Sequence, residues 1–166
     1  MEQLGDFDDV SNPLDCVEEI FTAQNWDFSR VSTDEITVHI TGRLGQYRMH
    51  FLWQEDYSAM QFSCEIDTVI SRPALDAATK AMAAINSNIW LGHFDIREDT
   101  RLPRFRHTSL FRGMNGGSGA EHIEDLVDIA INECERYMPV FGLLSAPVAP
   151  DARALSLALM DNAGES

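Results

Sequence analysis

Apolar and polar residues alternate with a period of two from Ile36 to about Asp67. Such alternation places successive side chains on opposite faces of a β-strand, one face buried and the other exposed. We therefore predict half-buried strands at about residues 36–41, 46–53 and 59–67, preceded by an extended stretch that begins at Trp26. Shorter apolar or alternating segments around Phe94 and over residues 104–112 predict a fifth and a sixth strand.

The registers of the central strands follow if every apolar row faces the same side of the sheet. Turns at residues 42–45 and 54–57 satisfy this requirement and give an antiparallel meander. The predicted pairs are Thr37 with His50, His39 with Arg48, Tyr47 with Cys64, Met49 with Phe62 and Phe51 with Met60.

One helix is predicted before this meander in the sequence, and another is predicted after it. Asn12 and Pro13 provide an N-cap and a first helical residue, and Asn25 is expected to end the first helix. The second helix begins at Pro73 and ends near Trp90. Its apolar residues recur at steps of three and four, which is typical of a helix that packs on a sheet.

A third helix follows the last pair of strands. Ser118 and Glu121 have the spacing of a capping box and are expected to start it. Its buried face contains apolar residues such as Cys134 and Tyr137, and its other face is acidic. Pro139 is expected to kink or end it.

The predicted order of elements, α-β-β-β-β-α-β-β-α, indicates an α+β fold in which helices flank an antiparallel sheet. With 166 residues, 45% of them hydrophobic, the chain is long enough for one sizeable core and one domain. We divide it into an acidic N-terminal extension at residues 1–11, a single α+β domain at residues 12–144, and a linker with a short apolar tail motif at residues 145–166.

Four stretches of the sequence resemble signature stretches of bacterial YbjN-domain proteins, particularly alphaproteobacterial ones. They are Asn12-Pro13-Leu14-Asp15, Gly92-His93-Phe94-Asp95, Phe105-Arg106-His107-Thr108 and residues 119–128. The resemblance covers roughly residues 12–143, and the last stretch is its most specific part. It implies a fold similar to type III secretion chaperones, which often form dimers, and the family label of a putative sensory transduction regulator. It implies no catalytic residues.

The net charge limits the classes of partner. The chain has 27 acidic and 12 basic residues, a formal net charge of −15. Nucleic acids and anionic membranes would be repelled on average, so neither is an expected partner. The first residues lack the basic and apolar regions of a signal peptide, and no apolar run reaches membrane-spanning length. These features predict a cytoplasmic protein.

The three cysteines, Cys16, Cys64 and Cys134, are an odd number and lack CxxC or CxxH spacing. Each lies on the apolar side of its predicted element. We interpret them as reduced core residues, and we expect neither a disulfide framework nor a zinc site. No cofactor or metal is predicted.

His93, Asp95 and His107 form one candidate site for chemistry. If the fifth and sixth strands pair, two imidazoles and a carboxylate could act as metal ligands or as an acid/base pair. The spacing is not diagnostic, and we favour the alternative that His107 is a core histidine bound by a neighbouring carboxylate. His39 and His50 are assigned to the outer face without a catalytic role.

The glycine-rich segment at residues 113–119 precedes a helix, where free backbone N–H groups and the helix dipole favour anions. It lacks the Gly-Lys-Ser/Thr ending of a P-loop and the GxGxxG pattern of dinucleotide-binding proteins. We favour a flexible connection that needs positive φ angles, beginning at Gly113. With His93, Asp95 and His107, this segment would form the site of a small-molecule or metal-binding enzyme, which is the alternative function.

Five of the eleven arginines lie within sixteen residues that contain only two acidic residues. They are Arg97, Arg101, Arg104, Arg106 and Arg112. They are expected either to pair with the protein's own acids, such as Glu65, Asp67 or the acidic face of the third helix, or to bind an acidic segment of a partner through bidentate contacts. The first alternative is the commoner outcome, and the second makes them candidate partner-binding residues.

The tail repeats leucine, with Leu155 and Leu159 four residues apart. These leucines could dock on a partner, fold back on the body or remain disordered. The sequence as a whole favours a non-enzymatic protein-binding module, chaperone-like or regulatory, that forms a homodimer and binds a protein partner. The candidate partner-binding residues are Arg97, Arg101, Arg104, Arg106, Arg112, Leu155 and Leu159, and no catalytic residue is predicted.

Overall fold

The computed structural model describes residues 12–114 and 116–163. Its strands are β1 (Asp27–Ser32), β2 (Glu35–Thr41), β3 (Gln46–Gln54), β4 (Ala59–Ile66), β5 (His93–Ile96) and β6 (Pro103–Leu110). Its helices are α1 (Leu14–Ala23), α2 (Leu75–Asn86), α3 (Gly116–Leu144) and α4 (Ala152–Ala163), with 3-10 turns at Glu55–Tyr57 and Arg72–Ala74. The α+β class and the predicted order of elements are confirmed, and α4 follows them.

Two expectations are not addressed by these elements. The predicted acidic extension at residues 1–11 lies outside the described residues. The likeness to type III secretion chaperones stays a prediction. Among the described residues, no helix combines the length and the apolar character needed to cross a membrane.

The sheet has the spatial order β1-β2-β3-β4-β6-β5, and every neighbouring pair is antiparallel. The predicted pairs between β2 and β3 are confirmed, with Thr37 opposite His50 and His39 opposite Arg48. The turn between these strands is closed by a hydrogen bond of 2.8 Å from the Gly42 N–H to the Gly45 carbonyl. The apolar alternation and the position of the glycines therefore determined this register.

The predicted register between β3 and β4 is wrong by two residues. The pairs are Tyr47 with Ile66, Met49 with Cys64, Phe51 with Phe62 and Trp53 with Met60. The turn lies one position further along than predicted, because a 3-10 turn at Glu55–Tyr57 is followed by Ser58 in the left-handed conformation, with φ 47°. A shift of two residues leaves each apolar row on the same face, so alternation alone does not exclude it.

One face of the sheet, the inner face, carries the core. The inward-facing side chains of β2, β3 and β4 are buried. Phe21 of α1 packs edge-on against Phe51 of β3, with 5.5 Å between ring centroids, and Tyr137 of α3 packs in the same way against Phe94 of β5, at 5.9 Å. The helices therefore lie on the inner face.

The first helix begins and ends as predicted. The side-chain oxygen of Asn12 accepts the backbone N–H of Leu14 at 2.9 Å, which satisfies one of the unpaired donors at the helix start. Asn25 adopts a left-handed conformation with φ 59°, which stops the helix.

The second and third helices differ from their predicted bounds. α2 ends at Asn86, whose side chain bonds the backbone N–H and carbonyl of Phe94, and Trp90 is not helical. α3 begins at Gly116, ahead of the predicted start at Ser118, and it continues through Pro139 to Leu144. Apolar side chains after the proline are buried, and their packing offsets the hydrogen bond that the proline removes.

The tail forms α4, which packs on α2 and α3. Leu155 is buried and Leu159 is half-buried between the helices, whereas Leu157 is 50% exposed. Of the three alternatives for the tail, the structure therefore has the one in which it folds back on the body.

The edge strand β1 is irregular where its pairing with β2 shifts, between Arg30 and Ser32. The guanidinium group of Arg30 donates hydrogen bonds to the carbonyl oxygens of Ser32 and Thr33. It also pairs with Asp15 and Glu18 of α1, at 3.3 and 3.2 Å. A side chain of β1 thus occupies the carbonyl groups of its last residue, Ser32, and of the following residue, Thr33.

Candidate protein-binding surface

The outer face of the sheet consists of the side chains that point away from the helices. One row on this face takes one residue from each strand. In spatial order the row is Asp27, His39, Arg48, Glu65, Arg104 and Asp95, and we call it the charged row. From Arg48 onward, each charge lies opposite a charge of the other sign, which is the favourable arrangement for cross-strand neighbours.

Two neighbouring charges of the charged row, Arg104 and Asp95, are paired with each other at short distances. Nε of Arg104 lies 2.6 Å from one carboxylate oxygen of Asp95, and its Nη2 lies 3.2 Å from the other. Nη1 of Arg106 adds a third contact with Asp95, at 3.1 Å. Burial raises the pKa of Asp95, but the hydrogen bonds and charges of the two arginines outweigh it, so the pKa is lower than usual. Asp95 is therefore held as a carboxylate.

Glu65, at the centre of the charged row, is also shared between two arginines. Its carboxylate lies 3.1 Å from Nη1 of Arg97 and 3.7 Å from Nη2 of Arg48. Arg97 in turn pairs with Asp99 at 2.7 Å. Glu65 is the acid that sequence reasoning expected here, whereas the central role of Asp95 was missed. The available signal was the position of Asp95 and Arg104, which lie on two consecutive predicted strands and carry opposite charges.

Arg101 and Arg112, two other arginines predicted to bind a partner, do not belong to the charged row. Arg101 has a left-handed backbone, with φ 58°, and its Nε donates to the Ile70 carbonyl at 3.0 Å. Arg112 is exposed in the turn that follows β6. Leu155 and Leu159 lie with α2, against Ala77 and Ala81. The structure brings Arg97, Arg104 and Arg106 together and places the leucines elsewhere.

Two arginines of the outer face keep substantial exposure. The side chain of Arg48 is 51% exposed and that of Arg106 is 41% exposed. Each uses one terminal nitrogen in the ion pairs of the described residues. Because a guanidinium group has five N–H donors, both can still bind a carboxylate of another chain.

The alternative site predicted from His93, Asp95 and His107 is not assembled. His93 lies opposite Arg106 and points to the outer face with Asp95, whereas His107 lies opposite Phe62 on the inner face. The sheet separates the two imidazoles, because successive side chains of a strand alternate between faces. Among the described residues, no three His, Cys, Asp or Glu side chains are placed to hold a metal ion.

The predicted carboxylate partner of His107 is not found among the described residues either. Burial lowers the pKa of His107, and the nearby His122 and His93 lower it further, which favours a neutral imidazole. Nε2 of His122 lies 2.7 Å from the hydroxyl oxygen of Ser109. The interior here is a small polar cluster, not an imidazole–carboxylate pair.

The glycine-rich segment is divided between a turn and a helix. Gly113 has φ 85°, as a turn with positive φ angles requires. Residues 116–119 already belong to α3, so Ser118 lies within the helix and the predicted capping box does not mark its start. Asn115 lies outside the described residues.

A cleft between the β2–β3 turn and α3 was not indicated by the sequence. Its cavity volume is about 580 Å³, and its lining includes Trp26, Ile40, Leu44, Ile131, Asn132 and Glu135. Glu135 accepts the backbone N–H groups of Arg43 and Leu44, at 2.8 and 2.9 Å. The cleft therefore combines apolar walls with a fixed carboxylate.

A match to a protein-family model agrees with the family resemblance. A family model described as YbjN, putative bacterial sensory transduction regulator, matches residues 13–143. A crystal structure described as YbjN, a putative transcription regulator from E. coli, aligns with a TM-score of 0.49 and 14% sequence identity, over 75% of this chain and 92% of that chain. No curated protein matches the sequence.

Proposed function

This chain belongs to the YbjN family, described as putative bacterial sensory transduction regulators, and on that premise we propose that it is a non-enzymatic protein-binding module, regulatory or chaperone-like. It binds another protein through the outer face of its sheet. It acts in the cytoplasm as a homodimer and uses neither nucleic acid nor a membrane.

The observation that carries this proposal is the exposed charged row. Helices pack on the inner face, whereas Arg48 and Arg106 on the outer face retain exposed guanidinium groups. Arg48, Arg97, Arg104 and Arg106 lie among Glu65, Asp95 and Asp99, so this part of the outer face concentrates arginines although the chain has a net charge of −15. An acidic segment of a partner fits such a surface through arginine–carboxylate pairs.

The test is a pull-down from native lysate with the full chain and with the double variant Arg48→Glu/Arg106→Glu. The wild-type protein should capture the same partner protein in repeated experiments. The double variant should not capture it, because both exposed guanidinium groups are replaced by acids. Arg153→Glu is the matched control, since Arg153 is an exposed arginine on α4. Absence of a partner for wild type, or equal capture by the double variant, would contradict the proposal.

A second candidate function is binding of a small molecule, and the cleft beside Glu135 favours it. Apolar walls with a few convergent polar groups are typical of ligand pockets. A thermal-shift screen separates the two functions, because a ligand selective for the folded state raises Tm. A hit that is lost in Trp26→Ala, with partner capture unchanged, would assign ligand binding to the cleft.

A further inference from the structure

Two thiols touch across the interface between the sheet and α3. Cys64 on β4 and Cys134 on α3 are both fully buried, and their sulfur atoms are 3.8 Å apart. Both are free thiols. They are 70 positions apart in the sequence, so the contact depends on the packing of α3 on the sheet. Cys16, on α1, is only half-buried.

The turn of α3 that carries Cys134 has two features that weaken it. Oε2 of Glu133 is buried without a hydrogen-bond partner in the part of the chain that the structure describes, whereas Oε1 pairs with Arg136 at 3.4 Å. Pro139 has no N–H to donate to the carbonyl of Glu135, one turn earlier. Unsatisfied buried polar groups and a missing helix bond lower the free energy of local opening. Opening of α3 around Cys134 must also break the hydrogen bonds of Glu135 with Arg43, Leu44 and Tyr47.

We propose that Cys64 and Cys134 are a redox modification site, which forms a reversible disulfide when α3 opens around Cys134 in the presence of a peroxide. Bonded sulfur atoms lie about 2.05 Å apart, so the two sulfur atoms, 3.8 Å apart in the closed structure, must move closer when the bond forms. The site is independent of the protein-binding function proposed above.

The order of steps follows from burial. In the closed structure, burial and then the contact with Cys64 raise the pKa of Cys134 well above its usual range, so its sulfur stays protonated and unreactive. Opening exposes Cys134 to water, which restores the ordinary acidity of its thiol. The reactive species is thus limited to the open form.

The reaction balances with hydrogen peroxide as the oxidant. The thiolate of Cys134 attacks one peroxide oxygen, the O–O bond breaks, and a sulfenic acid and hydroxide form. Before α3 closes, the Cys64 thiol gives its proton to that hydroxide, and the Cys64 thiolate attacks the sulfenic sulfur. The S–O bond breaks and the leaving hydroxide takes up the proton first released by Cys134. Two thiols lose two electrons, and hydrogen peroxide becomes two waters.

The test treats the full chain with hydrogen peroxide and follows all three cysteines by peptide mass spectrometry without reduction. Cys16 is an internal reference for exposure to the oxidant. A cross-linked peptide containing Cys64 and Cys134 should form, disappear with dithiothreitol, and be accompanied by a higher Tm, because the bond closes a long loop. Cys134→Ala should lack the cross-link, and Cys16→Ala should keep it. Full oxidation of Cys16 while Cys64 and Cys134 remain free thiols would overturn the proposal.

A second set of variants tests the opening step. Pro139→Ala gives residue 139 an N–H that can donate to the Glu135 carbonyl, and the restored helix bond should slow cross-linking about tenfold. Glu124→Gln, exposed on the same helix, should leave the rate unchanged. A wild-type rate in Pro139→Ala would overturn the route through local opening.

Discussion

The Tyr47 hydroxyl donates a hydrogen bond of 2.7 Å to the Glu135 carboxylate, which joins the start of β3 to the middle of α3. The same carboxylate accepts the backbone N–H groups of Arg43 and Leu44 in the β2–β3 turn. Tyr47 is 1% exposed. One side chain of α3 therefore holds both the turn and a buried hydroxyl group.

Glu135→Ala should destabilise the protein by about 2 kcal/mol, because the buried Tyr47 hydroxyl and two backbone donors lose their acceptor. Urea unfolding monitored by circular dichroism measures the change. Glu124→Ala, an exposed position of the same helix, should change stability by less than about 0.5 kcal/mol. Equal losses in the two variants would show that the contacts of Glu135 do not stabilise the turn.

Alkaline stability should depend on Tyr47. Burial, then the hydrogen bond and charge of Glu135, raise the pKa of Tyr47 above its usual range. The folded state thus holds this proton more tightly, so the stabilisation is complete below the unfolded pKa of about 10 and declines as the pH rises above it. In Tyr47→Phe, the loss of stability above about pH 10 should be shallower by up to about 1.4 kcal/mol per pH unit. Tyr57→Phe, at a residue that is 73% exposed, should keep the wild-type slope.

Acid stability should depend on Asp95. Its pKa is lowered in the folded state by Arg104 and Arg106, against the opposing effect of burial. The stabilisation is therefore present above the unfolded pKa of about 3.9 and is lost as the pH falls through the lower folded pKa. Asp95→Asn should cost about 1 kcal/mol at pH 7, and this difference should shrink as the pH falls below about 3.9 and vanish once the pH is below the folded pKa. A difference that persists in acid would mean that packing, not charge, accounts for the effect.

Gly92 should be the least replaceable glycine outside the helices. Its φ is 70°, and an added Cβ would lie 2.4 Å from the Phe105 ring and 2.7 Å from the Arg106 carbonyl oxygen. Gly92→Ala should therefore cost about 3 kcal/mol, from strain and overlap together. Gly113, with φ 85° and no atom within 4 Å of an added Cβ, is the matched control, and Gly113→Ala should cost only about 1 kcal/mol. Thermal unfolding of both variants distinguishes overlap from backbone strain.

The sequence predicts correctly those parts of the fold in which a local pattern is compatible with only one register or conformation. A short turn containing Gly42 and Gly45 allowed one register for β2 and β3. The turn before Ser58 allowed two registers with the same faces, and its 3-10 geometry decided between them. Pro139 was expected to limit α3, but burial of the following residues is a tertiary effect that the local sequence does not contain.

The candidate surface could be predicted only in part. The local excess of arginine was visible in the sequence, as was Glu65 as a partner acid. The pairing of Asp95 with Arg104 and Arg106 required the register of β5 against β6, which no turn signal determined. His93 and His107 are close in sequence and share a strand pair, yet they lie on opposite faces. The contacts of Glu135 and the proximity of Cys64 to Cys134 join distant segments and had no signal in the sequence.

Arg30, on the edge strand β1, affects association between molecules of this protein at high concentration. Arg30 occupies the carbonyl groups of Ser32 and Thr33 and is itself anchored by acids of α1. A strand from a neighbouring molecule that aligned with β1 would have to displace this side chain before a ladder could propagate. The side chain of Arg30 therefore hinders strand pairing at this end of β1, and Arg30→Ala would remove that hindrance.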